Sequence, residues 1–225
     1  MTEHIKILAL SLFDEFYQHI SANVLLYQCH HEILKEPYYI GAVGPVGFTG
    51  LHGAAFLGNV EIAAALLDPK ELDANAPDCT GNTNLAWAAG RGREEVVKVL
   101  LEREDVNPNQ ADAEYGRTLL SWAAQNGHSE VVKILLERGE VNPHQADSFY
   151  GQTPLSRAAE NGHSEVVMIL LERGDVDSNQ VDIEYGRTPF EWAANNGYLE
   201  VVRVHLQRGE ANPNQVDTVV MGCRS

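Results

Sequence analysis

The chain has 225 residues, 44% of them hydrophobic, and a net charge of −16 from 32 acids and 16 bases. That hydrophobic content suits an ordered protein, while the charge argues against nucleic-acid binding and against anionic membranes. Cys29, Cys79 and Cys223 are too few and too scattered for a disulfide framework, which points to a reducing compartment, the cytoplasm, and no apolar run approaches the ~20 residues of a membrane span.

The first 46 residues predict two helices, over 5–20 and 22–34, broken by Glu36-Pro37 and followed by a flexible lead over 41–47. They are expected to be an N-terminal helical capping segment, because the end of a stack exposes an apolar face. The run from Ile5 to Phe13 reads as the buried face of a capping helix. Glu3 precedes it and no small-residue cleavage pattern follows, which argues against a signal peptide. Cys29-His30-His31-Glu32 contains metal-ligating residue types, but neighbours on a helix point in different directions and do not form one chelate.

From Gly47 onward the text repeats. Gly81, Gly116, Gly151 and Gly186 stand 35 residues apart, and Tyr115-Gly116-Arg117-Thr118 returns as Tyr185-Gly186-Arg187-Thr188. A fixed period of this size predicts a stacked array rather than one globular core. In the unit from Gly116, Thr118 is a natural N-cap for a short helix through Ala123-Ala124. Later units add proline at the first helical position, Pro154 and Pro189, where a missing N–H costs nothing. Gly127 ends that helix, and a second runs from Ser129 to a stop at Gly139, apolar on more than one stripe because it faces a neighbour on each side. Asn142-Pro143 then sends the chain into an extended connector that turns at Tyr150-Gly151.

These residues carry a specific resemblance. Thr153-Pro154-Leu155-Ser156, Ala158-Ala159-Glu160-Asn161-Gly162-His163 and Glu165-Val166-Val167-Met168-Ile169-Leu170-Leu171 resemble, in order, three signatures of the ankyrin repeat. The resemblance implies an all-α solenoid of stacked helix-turn-helix units with long finger loops. Five repeats are expected, over 47–80, 81–115, 116–150, 151–185 and 186–220, with a tail over 221–225. Against a usual length of 33, the surplus falls in the connector from Val106 to Tyr115, so the fingers should be long. The period also resembles ankyrin tracts of fungal multidomain NACHT-type proteins, although the chain has no Gly-x-x-x-x-Gly-Lys-Ser/Thr loop. After Val216-Asp217 the next Tyr-Gly is missing. Either polar residues such as His205 and Gln207 soften the last helix, or a partner surface covers it.

The resemblance places the partner-binding face on finger tips and the ends of first helices. The tip positions are Glu114, Tyr115 and Arg117, then Phe149, Tyr150 and Gln152, then Glu184, Tyr185 and Arg187. The helix-end positions are Gln125 and Asn126, Glu160 and Asn161, and Asn195 and Asn196. The tyrosines are suited to recognition and equally to bracing adjacent fingers. Trp87, Trp122 and Trp192 share a phase at which the fourth unit has Arg157, expected to stack between Trp122 and Trp192. Phe56 and Leu57 are expected to pack on the N-terminal segment. His128 and His163 are implied to be structural, through hydrogen bonds to the turn. Asp112 with Glu114 lacks the dense ligands of a calcium loop. No nucleophile–base pairing or metal spacing is present, so neither an enzyme nor a cofactor is expected. The expected function is non-catalytic binding of another protein, one with basic patches, through the concave face. Self-assembly through the C-terminal end, or a role as the sensor fragment of a larger protein, is the alternative.

Overall fold

The computed structural model describes residues 49–67, 72–78 and 80–209. The capping segment over 1–46, the cluster at Cys29 to Glu32 and the tail lie outside the described residues. Among the described residues the chain forms ten helices in five consecutive pairs and no strand. They are α1 Gly50–Leu57, α2 Val60–Leu67, α3 Asn84–Gly90, α4 Glu94–Leu101, α5 Leu119–Gln125, α6 Ser129–Glu137, α7 Pro154–Glu160, α8 Ser164–Glu172, α9 Pro189–Asn195 and α10 Leu199–Arg208. First helices stack on first helices and second helices on second helices, giving two layers along one axis. This is an all-α repeat solenoid.

Local chemistry starts each inner helix in the same way. Thr83, Thr118, Thr153 and Thr188 are extended N-caps whose hydroxyls accept from the backbone N–H three residues on. Pro154 and Pro189 follow at the first helical positions. In the first pair the Thr49 N–H donates instead to His52 Nδ1 at 3.0 Å, and His52 Nε2 reaches the Asn82 carbonyl of the next unit at 3.3 Å. The alanine pairs at 54–55, 88–89, 123–124 and 158–159 are fully buried, so the inner layer packs backbone close to backbone. The outer helices contribute the larger apolar groups, Val131, Val132 and Leu135 of α6 and their counterparts.

Three sets of contacts fasten unit to unit. Gly127 has φ +76°, and a Cβ there would lie 2.5 Å from the ring of His163. The glycine therefore ends α5 in the left-handed region and also leaves room for a ring. His163 Nε2 bonds the Gln125 carbonyl at 2.9 Å, and His128 Nε2 the Gly90 carbonyl at 3.0 Å. Both histidines are structural, but their partner is the end of the preceding inner helix rather than their own turn. Arg93 and Tyr198 occupy the same phase and pack on Gly58 and Gly162. In the outer layer Arg173 donates to the Leu136 carbonyl at 3.1 Å and Arg208 to the Leu171 carbonyl at 2.6 Å, with Arg138 on Leu101 likewise. Each closes the C-terminus of the outer helix before it, where cations are favoured. At the fingers, Ser148 N–H donates to the Tyr115 carbonyl at 2.8 Å and Ile183 N–H to the Tyr150 carbonyl at 2.9 Å.

Two details differ from expectation. Helix α6 ends at Glu137 with Arg138 extended, and Gly139 does not take positive φ, whereas Gly174 at the same phase does. His205 does not soften the surface of α10: it is 0% exposed, in the place of Leu100, Leu135 and Leu170, edge-on to Phe190 at 6.1 Å.

Candidate recognition face

Each finger is organised by one buried aspartate, Asp78, Asp112, Asp147 or Asp182. Asp112 Oδ1 accepts from Tyr115 N–H at 2.6 Å, while Oδ2 accepts from Arg117 N–H at 3.2 Å and from the Trp122 indole N–H at 3.1 Å. Asp182 repeats the set with Tyr185 at 2.6 Å, Arg187 at 3.1 Å and Trp192 at 2.8 Å. Asp78 accepts from Trp87 Nε1 at 2.8 Å. A carboxylate tolerates burial when several donors satisfy it. Both Asp112 oxygens are engaged by its own turn and by the Trp122 indole. The tryptophans tie each finger to its inner helix, a role the sequence pattern alone does not separate from general packing.

Arg157 corrects a specific expectation. It does not stack between Trp122 and Trp192. Its Nη2 and Nε donate to Asp147 Oδ2 at 2.7 and 3.2 Å, doing what an indole N–H does in the second, third and fifth units, and Nη1 reaches Glu160 at 3.5 Å. Its ring neighbour is Tyr150, with 5.2 Å to the centroid. The arginines that do lie over tryptophans are Arg117, 4.9 Å from Trp122 and 4.4 Å from Tyr115, and Arg187, 4.8 Å from Trp192 and 5.1 Å from Tyr185.

A protein-family description, ankyrin repeats (3 copies), matches the chain three times, over residues 19–112, 51–147 and 120–217. The chain belongs to the ankyrin-repeat family. A comparison with curated proteins finds no match. Ankyrin repeats are in general protein–protein interaction modules, and no helix among the described residues is long and apolar enough to cross a membrane.

Along this ankyrin array the expected tip residues separate into two kinds. Glu114, Phe149, Glu184 and Tyr185 are exposed, Phe149 at 60%. Tyr115, Tyr150, Arg117 and Arg187 are half-buried. Gln152 is a correction: it is 2% exposed and donates to Glu160 Oε2 at 3.0 Å, so it supports the finger base instead of offering a contact. Tyr115 and Tyr150 brace the next finger through their carbonyls, and Tyr115 also through Phe149, whose ring lies 5.9 Å from it and 4.7 Å from Tyr150 of the same finger, while Tyr185 packs edge-on to Trp192 of its own unit at 5.6 Å. The Glu114 carboxylate, hydrogen-bonded to the Tyr115 hydroxyl, raises that phenol above its ordinary pKa, and Glu184 does the same to Tyr185.

At the helix ends Asn126, Asn161, Asn195 and Asn196 are exposed, and Gln125 and Glu160 are half-buried. Asn126 Nδ2 donates to the Gly90 carbonyl at 3.0 Å and Asn196 Nδ2 to the Glu160 carbonyl at 2.8 Å, so these two also staple adjacent units, while Asn161 Nδ2 closes its own helix on the Arg157 carbonyl at 2.8 Å. The Gln125 amide oxygen is buried without a hydrogen-bond donor. Phe56 packs forward onto the second unit, 5.6 Å from Trp87 and beneath Arg91 at 4.1 Å, while Leu57 is exposed. A groove of about 490 Å³ runs between Trp87, Arg91, Arg93, Trp122 and His128, and a second depression of about 250 Å³ lies between Arg117, Tyr150, Arg157 and Tyr185.

Proposed function

We propose that this ankyrin array is a non-catalytic binding module that docks another protein on its finger tips and inner helix ends. The observation that carries the reading is rigid presentation. Phe149, Tyr185, Glu114 and Glu184 stand exposed on turns pinned by buried aspartates, so their docking loses little ordering entropy. Acids at the tips and on the outer helices would steer basic patches on the partner toward the rim, with an on-rate that falls with salt. The 35-residue period also supports the sensor part of a larger NACHT-ankyrin type of protein.

The test is affinity capture from the source lysate beside a Tyr115→Ala, Tyr150→Ala, Tyr185→Ala variant that retains its helical circular dichroism. A partner held by the parent and lost by the folded variant supports the reading. One held equally by both moves the interface elsewhere. A second reading, self-association at the last unit, has its own observation: on α10 Leu199 is 78% exposed, and Leu206 is 53% exposed where its counterpart Leu171 is buried. A concentration-dependent mass in ultracentrifugation would favour it.

A further inference from the structure

On a chain with twice as many acids as bases, cations should find carboxylates easily. On the outer side of the described residues every lysine and arginine does, from Lys98 on Glu95 to Arg208 on Glu172. Arg93, Arg117 and Arg187 form no ion pair among the described residues; Arg117 and Arg187 lie at the finger bases on the inner side, and Arg93, at the turn before α4, donates its Nε to the Phe56 carbonyl at 3.1 Å and reaches the inner groove. Arg93 lines the larger groove beside Trp87, Trp122 and His128, and none of the described residues lining that groove is acidic. Arg117 lines the next depression, and Arg187 lies over Tyr185 and Trp192 on its wall. The acids of that depression are engaged: Asp182 by its turn and Trp192, Glu160 by Gln152 and Arg157.

The stacking geometry matters here. A guanidinium donates in its own plane, so rings on its faces hold it in place without using its N–H edge. Arg117 shows this directly: tyrosine and tryptophan neighbour it, and its Nε is buried with no acceptor. Burial, and the Arg157 charge after it, lower its pKa against the opposing pull of Asp147 and Asp112, neither of which forms an ion pair with it.

We propose that the inner face binds an extended acidic segment of a partner protein, its carboxylates seated on Arg93, Arg117 and Arg187 and its apolar side chains between them on the tryptophans. This rests on the protein-binding reading above and names the chemistry of the docked segment, as distinct from the basic surface expected at the rim. Helices of adjacent units pack about 8–10 Å apart, so Arg117 and Arg187, two units apart, are separated by roughly 20 Å. An extended chain covers that distance in about six residues. Carboxylates at that spacing fit, whereas a polyanion would also press its charges against Glu114 and Glu184.

The experiment is a random peptide library displayed on phage and selected on the full chain at low salt, with the enriched sequences synthesised and measured by fluorescence anisotropy. The expected result is aspartate or glutamate at spaced positions, binding weakened roughly tenfold or more by Arg117→Gln with Arg187→Gln, and no change with Lys98→Gln on the outer side. Should the double variant lose its thermal midpoint, Arg187→Gln alone, at a half-exposed side chain, keeps the comparison. Basic or neutral sequences that depend on Tyr185 but not on the arginines would overturn the inference and leave the binding reading standing. Sequences indifferent to both, or no enrichment, would overturn both. Arginine-dependent binding of oligo-dT in place of peptide would also sink it, by assigning the face to nucleic acid.

Discussion

Two residues depart from the repeat, and each carries a stability prediction. Arg157 replaces tryptophan and neutralises Asp147, with both side chains nearly or wholly buried. Breaking such a pair leaves an uncompensated charge and typically costs about 3–5 kcal/mol. Arg157→Glu, which sets a second acid against Asp147, is therefore expected to lower the melting midpoint by several degrees or more, at about 2–4 °C per kcal/mol for a chain of this size. An unchanged midpoint in differential scanning calorimetry would show that the pair is not holding the fourth finger. His205 replaces leucine, and neither ring nitrogen has a hydrogen-bond partner. Burial lowers its pKa from 6.5 to about 4. The folded state thus holds the ring neutral where the unfolded chain protonates it, so stability is intact above about pH 6.5 and falls as pH drops toward 4. The loss approaches roughly 3 kcal/mol. His205→Leu should flatten that acid sensitivity in urea titrations at pH 7 and pH 5. Burial lowers the pKa of His52 and His128 too, so part of the slope will remain.

At the scale of the element, the glycine after each inner helix has two jobs, and Gly127→Ala tests both. A left-handed φ costs a residue with Cβ about 1–2 kcal/mol, and the His163 ring must also move from its place 2.5 Å away. Gly139→Ala is the control, since φ there is not positive and a Cβ would meet open space. Thermal melts should separate the two, with Gly127→Ala clearly destabilised and Gly139→Ala near the parent. Caps and turns like these were legible in the sequence because they are made within a few residues: Thr118 bonds Ser121, and Gly127 ends its own helix. What was not legible lies between units. That Arg173 closes the outer helix at Leu136, that His163 reaches Gln125 and that Asn196 reaches Glu160 depend on how one unit sits on the last. The period announces that these residues recur, but a partner some 36 to 38 positions away is fixed by stacking geometry. Arg157 misled for the same reason: sharing a phase with tryptophan indicated a shared place, and the shared task, donating to the finger aspartate, needed the finger's position.

For the whole molecule, a stack of this kind has no single core, and each unit is held by its own packing plus its interfaces with two neighbours. The third unit has both. Beyond the fifth, no described residue lies within reach of a Cβ at Gly197, the glycine whose counterparts Gly58, Gly92, Gly127 and Gly162 are each covered by the next unit. Leu206 stands half open where Leu171 is sealed, and the fifth unit also buries an unbonded imidazole. These differences all act on one end, so opening should be graded along the axis rather than uniform. Hydrogen exchange followed by mass spectrometry at neutral pH is expected to show α10 and α9 exchanging first, α5 and α6 last, with protection of the fifth unit reduced further at pH 5, where the opened unit protonates His205 and the folded one does not. If all five pairs exchanged together at one rate, the array would be opening as a single cooperative unit, and the interfaces would be stronger than the units they join.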